Sequence, residues 1–345
     1  MYLDRDFLKT PEGFLFCVVG CVHPRDRALA YLKYVPSEEG QWASKDGRYS
    51  RTMQVYTVPA LLGNIENLRF RFPHYVFNSK VMGIQMSAVP RKHITVHYRP
   101  SIRLSQLFQS QSRDELEERV VRLVYKLSEV SGIEKESFGV TGSILLGIHN
   151  QEFSDMDIVV YGHRNALSVQ KVLQTFLSSE DSLIKPLRDR ALKEMLLRWT
   201  QSHQISFEDA NWFANRKWNR GIFADRGFSI LPVRSQREVS ERYGEEYYAF
   251  EGIVEGVATI ADAMNSCFLP SSYVLEHVKP SSLTQIQYLV SYDSFYSGIF
   301  QKADTVRFRG KLEKVLSKKG VELYWRIVIG SPEAHGLDYV RPILS

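Results

Sequence analysis

The chain has 345 residues, of which 44% are hydrophobic and 24% charged, with a formal net charge of +5. That length calls for two or three cores rather than one, and the composition is that of an ordinary soluble globular protein. No apolar run approaches the ~18 residues of a membrane span. The N-terminus lacks a basic stretch leading into an apolar one, and three cysteines cannot all pair internally, so a cytoplasmic setting is expected.

Charge is unevenly spread. Residues 1–110 hold 15 Lys and Arg against 8 Asp and Glu, residues 111–235 hold 17 of each, and residues 236–345 hold 12 against 14. The basic excess therefore sits in the N-terminal third. Three domains are expected: a β-rich basic domain over 1–110, a central α/β domain over 111–239, and a small β-rich domain over 240–345.

Prolines cut the first domain into short elements, with strands expected over Phe14–Val22, Met53–Val58 and Ile94–Tyr98. Arg69-Phe70-Arg71-Phe72, His74, Tyr75 and Arg91-Lys92-His93 interleave cations with aromatic rings. That is how single-stranded nucleic acid is gripped, but alternation also fits an amphipathic strand with core phenylalanines and solvated arginines. Cys17, Cys21 and His23 would share one strand face, without the further ligand pair of a zinc site. The Gln/Ser-rich segment 101–112 is the expected linker.

A helix follows. Ser112 and Glu115 have the spacing of a capping box, the apolar residues from Leu116 to Val130 recur at helical period, and Gly132 stops it. Next come a strand at Phe138–Thr141, helices at Asn165–Leu177 and Leu183–His203, and a strand at Gly227–Arg234. Beyond 240, short runs separated by turns at Arg309-Gly310-Lys311 and Lys318-Lys319-Gly320 suggest a small β-barrel or sandwich.

The richest stretch is 138–162, FGVTGSILLGIHNQEFSDMDIVVYG. Asp155 and Asp157 are two residues apart at the head of an apolar strand, so their side chains share a face. Two carboxylates there repel and are costly to desolvate, and a hard divalent cation, Mg²⁺ or Mn²⁺, removes both problems. Gly142-Ser143, opening a short helix, would offer backbone N–H groups and a hydroxyl to phosphate. His149 and His163 flank this loop and either could touch phosphate, although a satisfied loop histidine is the simpler reading.

Gly142-Ser143, Gly147 and Ser154-Asp155-Met156-Asp157 together resemble the signature of the DNA polymerase beta-like nucleotidyltransferase superfamily, over roughly residues 113–235. The whole chain is similar to uncharacterised archaeal proteins predicted to be nucleotidyltransferases. The resemblance implies an α+β chain whose central mixed sheet, flanked by β-rich parts, binds an NTP such as ATP. Asp155 and Asp157 would hold the metal and act in catalysis, with Gly142, Ser143 and Lys217 on the phosphates. An acceptor hydroxyl, RNA among the candidates, would attack the α-phosphorus and release pyrophosphate. Asn211–Arg220 supplies Arg216, Lys217 and Arg220 for the β- and γ-phosphates, unless that segment is a helix with Trp212 and Trp218 in the core.

The sequence departs from the superfamily in two places. Ile144-Leu145-Leu146 stands where many members carry an arginine, and the strand Gly227–Arg234 lacks the third carboxylate that serves as general base. Asp225, Glu251 and Glu255 are its candidate owners. Without one, the alternative is a catalytically inactive module that binds nucleotide or nucleic acid.

Overall fold

A computed structural model describes residues 1–343 except 46, 56, 180, 181 and 204. The N-terminal part builds β1 (Phe7–Lys9), β2 (Leu15–Val18), β3 (Arg27–Pro36), β4 (Trp42–Ser44), β5 (Gly47–Arg51), α1 (Val58–Arg71), β6 (Val76–Ser79), β7 (Ile84–Pro90), β8 (Val96–Tyr98) and α2 (Pro100–Gln109). Its strands form one sheet in the order β4-β5-β3-β2-β1-β8, with β7 also on β3 and β6 on β7. The strand expected over Phe14–Val22 ends at Val18, because the chain turns at Gly20 (φ +69°), whose N–H donates to Asp4 Oδ1 at 2.9 Å.

Three expectations fail in this region. The strand at Met53–Val58 does not form: Val58 and Pro59 open α1, where proline's fixed φ suits the first turn, and Tyr56 lies outside the described residues. Arg69, Phe70 and Arg71 are therefore helical, and Phe70 is 90% exposed, so the alternation of a strand is absent. The linker is α2, which starts with Pro100 and buries Leu104 and Leu107. This helix packs on the central sheet, close enough that a Cβ on Gly139 would lie 2.7 Å from Pro100 Cβ.

The central part contains α3 (Glu115–Ser131), β9 (Phe138–Val140), α4 (Gly142–Leu146), β10 (Met156–Tyr161), α5 (His163–Ser178), β11 (Ile184–Lys185), α6 (Asp189–Ser202), α7 (Phe207–Arg216), β12 (Arg220–Phe223) and β13 (Arg226–Val233). The capping box of α3 is Asp114 with Glu117, two residues later than the spacing suggested, and Gly132 (φ +69°) ends the helix. The expected helix from Leu183 yields β11 first and starts as α6 only at Asp189.

The central sheet runs β11-β12-β13-β10-β9, with β10 parallel to β13 and every other pair antiparallel. Ile158, Val160 and Ile230 are fully buried beneath Leu116, Val120 and Leu127 of α3 and Val169 and Leu173 of α5. Each such side chain contributes roughly 1.5–3 kcal/mol on burial. Side chains alternate along a strand, so Asp155, Asp157, Val159 and Tyr161 look the other way, where Val159 and Val233 meet Cys21 of the N-terminal part.

The C-terminal part has β14 (Glu246–Asp262), β15 (Ser271–Lys279), β16 (Ile286–Ser291), β17 (Thr305–Ser317), β18 (Glu322–Ile329) and β19 (Tyr339–Pro342). Pairing runs β14-β15-β16-β18-β17 and returns from β17 to β14, with β16 parallel to β18, which closes a five-stranded barrel with the strand order of an OB fold. Arg309-Gly310-Lys311 is no turn: it lies within β17, where a Cβ on Gly310 would come within 2.7 Å of Val328 O. The pair α6–α7 docks on the barrel, with Trp199 and Phe213 against Phe295.

Candidate functional site

The site grows from the β9–α4–β10 connection. Thr141 N–H donates to Asp157 O (2.9 Å) and its hydroxyl donates to Arg5 O (2.7 Å), which ties the turn both to β10 and to the N-terminal part. Gly142 follows in the left-handed region (φ +66°), and a Cβ there would sit 2.6 Å from Asp157 Oδ2. Only glycine satisfies both conditions. Helix α4 lasts five residues and ends at Gly147 (φ +64°).

Ser143 is buried, and its hydroxyl donates to Ser154 Oγ (3.3 Å), which in turn accepts Asn150 N–H (3.0 Å). These serines staple the loop between α4 and β10. Ser143 thus has a structural partner within the loop, where a phosphate contact was expected. Arg226 holds the loop from outside, donating to the carbonyls of Gln151 (2.5 Å) and Glu152 (2.6 Å). Phe153 packs edge-on against Trp42 from the N-terminal sheet.

Asp155 and Asp157 come together on one face, as the spacing predicts. Asp155 is exposed at the rim and Asp157 is half-buried. Desolvation and then the charge of Asp157 raise the Asp155 carboxyl pKa, while Arg220, Arg226 and Arg51 oppose the rise. Desolvation by the surrounding protein lowers the Arg220 guanidinium, although the residue stays open to solvent, against the pull of Asp157 and Asp155. Arg5 is raised despite its desolvation, mainly by Asp4, with Asp157 contributing. Two acids therefore lie within the field of four arginines.

The parallel register sets Ser229 of β13 beside Asp157. Its hydroxyl donates to Asp157 Oδ1 at 2.5 Å. At the next same-face position toward the strand start, Gly227 faces Asp155, where a Cβ would lie 2.8 Å from Asp155 Oδ1. The donor set fits a hard divalent cation: two carboxylates on one face, with Asp157 Oδ2 kept clear by the missing side chain of Gly142.

None of the three candidate owners of a third carboxylate stands here. Asp225 occupies the β12–β13 turn and lines a groove with Arg113, Glu118 and Arg122 on the α3 side of the sheet. Glu251 pairs with Lys314 (3.4 Å) and Glu255 accepts from Tyr339 (2.7 Å), both within the barrel sheet. Lys217 is also misplaced as a phosphate ligand. It is buried, and its ammonium donates to the carbonyls of Ser294 (3.0 Å), Phe295 (2.7 Å) and Ser297 (3.3 Å), which fixes α7 to the barrel part.

Arg216 of that segment pairs with Asp304, and of its three cations it is Arg220 whose charge the acids feel. The flanking histidines have other partners: His149 bonds Asp114 Oδ2 (2.7 Å) and His163 bonds Met264 O (2.9 Å). Cys17 and Cys21 fall into different core clusters, so they do not converge with His23. Sequence reasoning missed Arg5, Arg51, Arg226 and Ser229. The strand pairing would have exposed Ser229, whereas Arg5 and Arg51 arrive from a distant part of the chain with no local signal.

No family model matches the chain, and no solved structure does. It is similar to an uncharacterised protein of Methanocaldococcus jannaschii, 29% identical over 342 residues that cover 98% of each chain.

Proposed function

We propose that the central sheet is a nucleotidyltransferase-type domain and that the chain uses it to bind a nucleoside triphosphate with one divalent cation, without turnover. The order helix, strand, Gly-Ser turn, Asp-bearing strand, helix and parallel partner strand supports the fold reading. Asp155 and Asp157 would hold Mg²⁺ or Mn²⁺, whose chemistry when bound is to neutralise phosphate charge. Arg220, together with Arg5 and Arg51, would meet the charge of the triphosphate, and the N–H groups opening α4 would take a phosphate oxygen.

The observation that carries the inactive reading is Ser229 beside Asp157. Transfer needs the acceptor O–H proton to leave as oxygen bonds the α-phosphorus and pyrophosphate departs with the bridging electron pair. A serine hydroxyl that donates to Asp157 cannot take that proton, and Asp157 is engaged by it. The second reading, nucleotidyl transfer to a hydroxyl such as an RNA 3′ end, draws on the exposed rim position of Asp155, which leaves the acids open to an acceptor.

The two separate in one experiment with α-labelled NTPs, Mg²⁺ or Mn²⁺ and total cellular RNA. The binding reading expects retained nucleotide, dependent on Asp157, and no label in RNA or protein. Label transfer that Asp157→Ala removes establishes the enzyme instead.

A further inference from the structure

Outside the acidic cleft, three loops at one end of the N-terminal sheet bring together Glu12, His74 and His93. Glu12 lies in the β1–β2 turn, His74 in the one-turn helix Pro73–Tyr75 after α1, and His93 in the one-turn helix Arg91–His93 after β7. One ligand atom from each lies within 4.8 Å of the others. We propose that these residues form a site for a divalent transition metal, Zn²⁺ fitting best, with a fourth position left for solvent or a ligand.

Several features favour this. The two oxygens of Glu12 have separate duties: Oε2 accepts from Thr10 Oγ1 (2.7 Å) and Tyr75 OH (2.6 Å), while Oε1 faces His74 Nε2 at 3.8 Å. That separation is too long for a hydrogen bond, but close to the roughly 3.3 Å between ligands about 2.0 Å from a tetrahedral metal. Two hydroxyls on the far oxygen fix the carboxylate's orientation, as outer partners of metal ligands do. The imidazoles of His74 and His93 lie side by side, their ring centres 4.6 Å apart with 29° between planes, so two nitrogen ligands are already gathered beside Glu12.

Two imidazoles and a carboxylate select a borderline ion over Mg²⁺, which prefers an all-oxygen shell. Side-chain exposures of 37% for His74 and 26% for Glu12 leave a path for entry. A second cluster, Asp114, Glu117 and His149, is already committed: Asp114 and Glu117 cap α3, Glu117 also pairs with Arg103, and His149 bonds Asp114.

The site is tested on the full chain, stripped with chelator and titrated with Co²⁺ and Zn²⁺. One equivalent of Co²⁺ should give the visible absorption of a low-coordinate site, Zn²⁺ should displace it, and Zn²⁺ should raise the thermal midpoint relative to EDTA. His74→Asn, His93→Asn and Glu12→Gln should each weaken Co²⁺ at least tenfold, and Tyr75→Phe by about tenfold through the lost outer contact. Midpoints measured in EDTA show that the variants fold. Excess Mg²⁺, which would fill the carboxylates of the acidic cleft, should leave the visible Co²⁺ band unchanged, which keeps this site separate from the nucleotide reading. No stoichiometric binding, or binding indifferent to both His74→Asn and His93→Asn, overturns the proposal.

Discussion

Ser229 Oγ donates to Asp157 Oδ1 at 2.5 Å across two parallel strands in register. A carboxylate at 229 would complete a three-acid cluster. A hydroxyl there quiets the charge of Asp157 without adding a base. Ser229→Asp should therefore destabilise the metal-free chain by about 1–2 kcal/mol at neutral pH, through like charges sharing one face. Mg²⁺ should restore more of the thermal midpoint in this variant than it adds to the wild type. Equal Mg²⁺ effects in both proteins would remove the metal from this face.

Gly142 is held by a positive φ and by Asp157 Oδ2, 2.6 Å from the position of a Cβ. Gly142→Ala should cost about 1–3 kcal/mol in stability. It should also weaken metal-dependent nucleotide binding, because Asp157 must move to admit the methyl group. Denaturant unfolding gives the first quantity and nucleotide titration the second. A variant that loses stability but keeps full binding would place the phosphates away from this turn.

Lys217 serves the fold. Replacing it with methionine removes three donors and strands three carbonyls, for a loss of about 2–4 kcal/mol. Nucleotide affinity of the folded variant should stay within twofold of wild type. A large loss of affinity at unchanged stability would return Lys217 to the phosphates.

His23 supplies a pH dependence. Burial lowers its pKa from 6.5 to about 4, with its bond to Tyr2 O opposing the shift. The unfolded chain then binds the extra proton first, so this contribution to stability is complete above about pH 6.5 and is lost as pH falls toward 4. His23→Asn should flatten the midpoint-versus-pH curve over that window. Parallel curves for the two proteins would mean that His23 protonates in the folded state without cost.

Local patterns carried much of the fold. The apolar face of α3, the stop at Gly132 and the placing of Asp155 and Asp157 on a common face follow from periods of 3.6 and 2 and from glycine's backbone freedom. What failed depended on distant chain. Pro100 reads as a strand breaker until α2 is seen packed on Gly139, and the Arg-Phe alternation at 69–72 reads as a strand until Pro59 starts a helix above it. Lys217 resembled a phosphate ligand because its three carbonyl partners lie about eighty residues further on. Ser229 was visible as a residue but not as the neighbour of Asp157, since register between strands some seventy residues apart is a property of the folded sheet.

Asp155 and Asp157 would link nucleotide binding to a divalent cation. The most direct measurement of that link is the affinity of an NTP for the full chain in Mg²⁺ and in EDTA, for wild type and Asp157→Ala. Mg²⁺ should tighten binding at least tenfold in the wild type and have little effect in the variant, whose freed arginines still attract phosphate in EDTA. Binding that ignores Mg²⁺, or a Mg²⁺ effect that survives Asp157→Ala, would mean that these acids hold no nucleotide-linked cation.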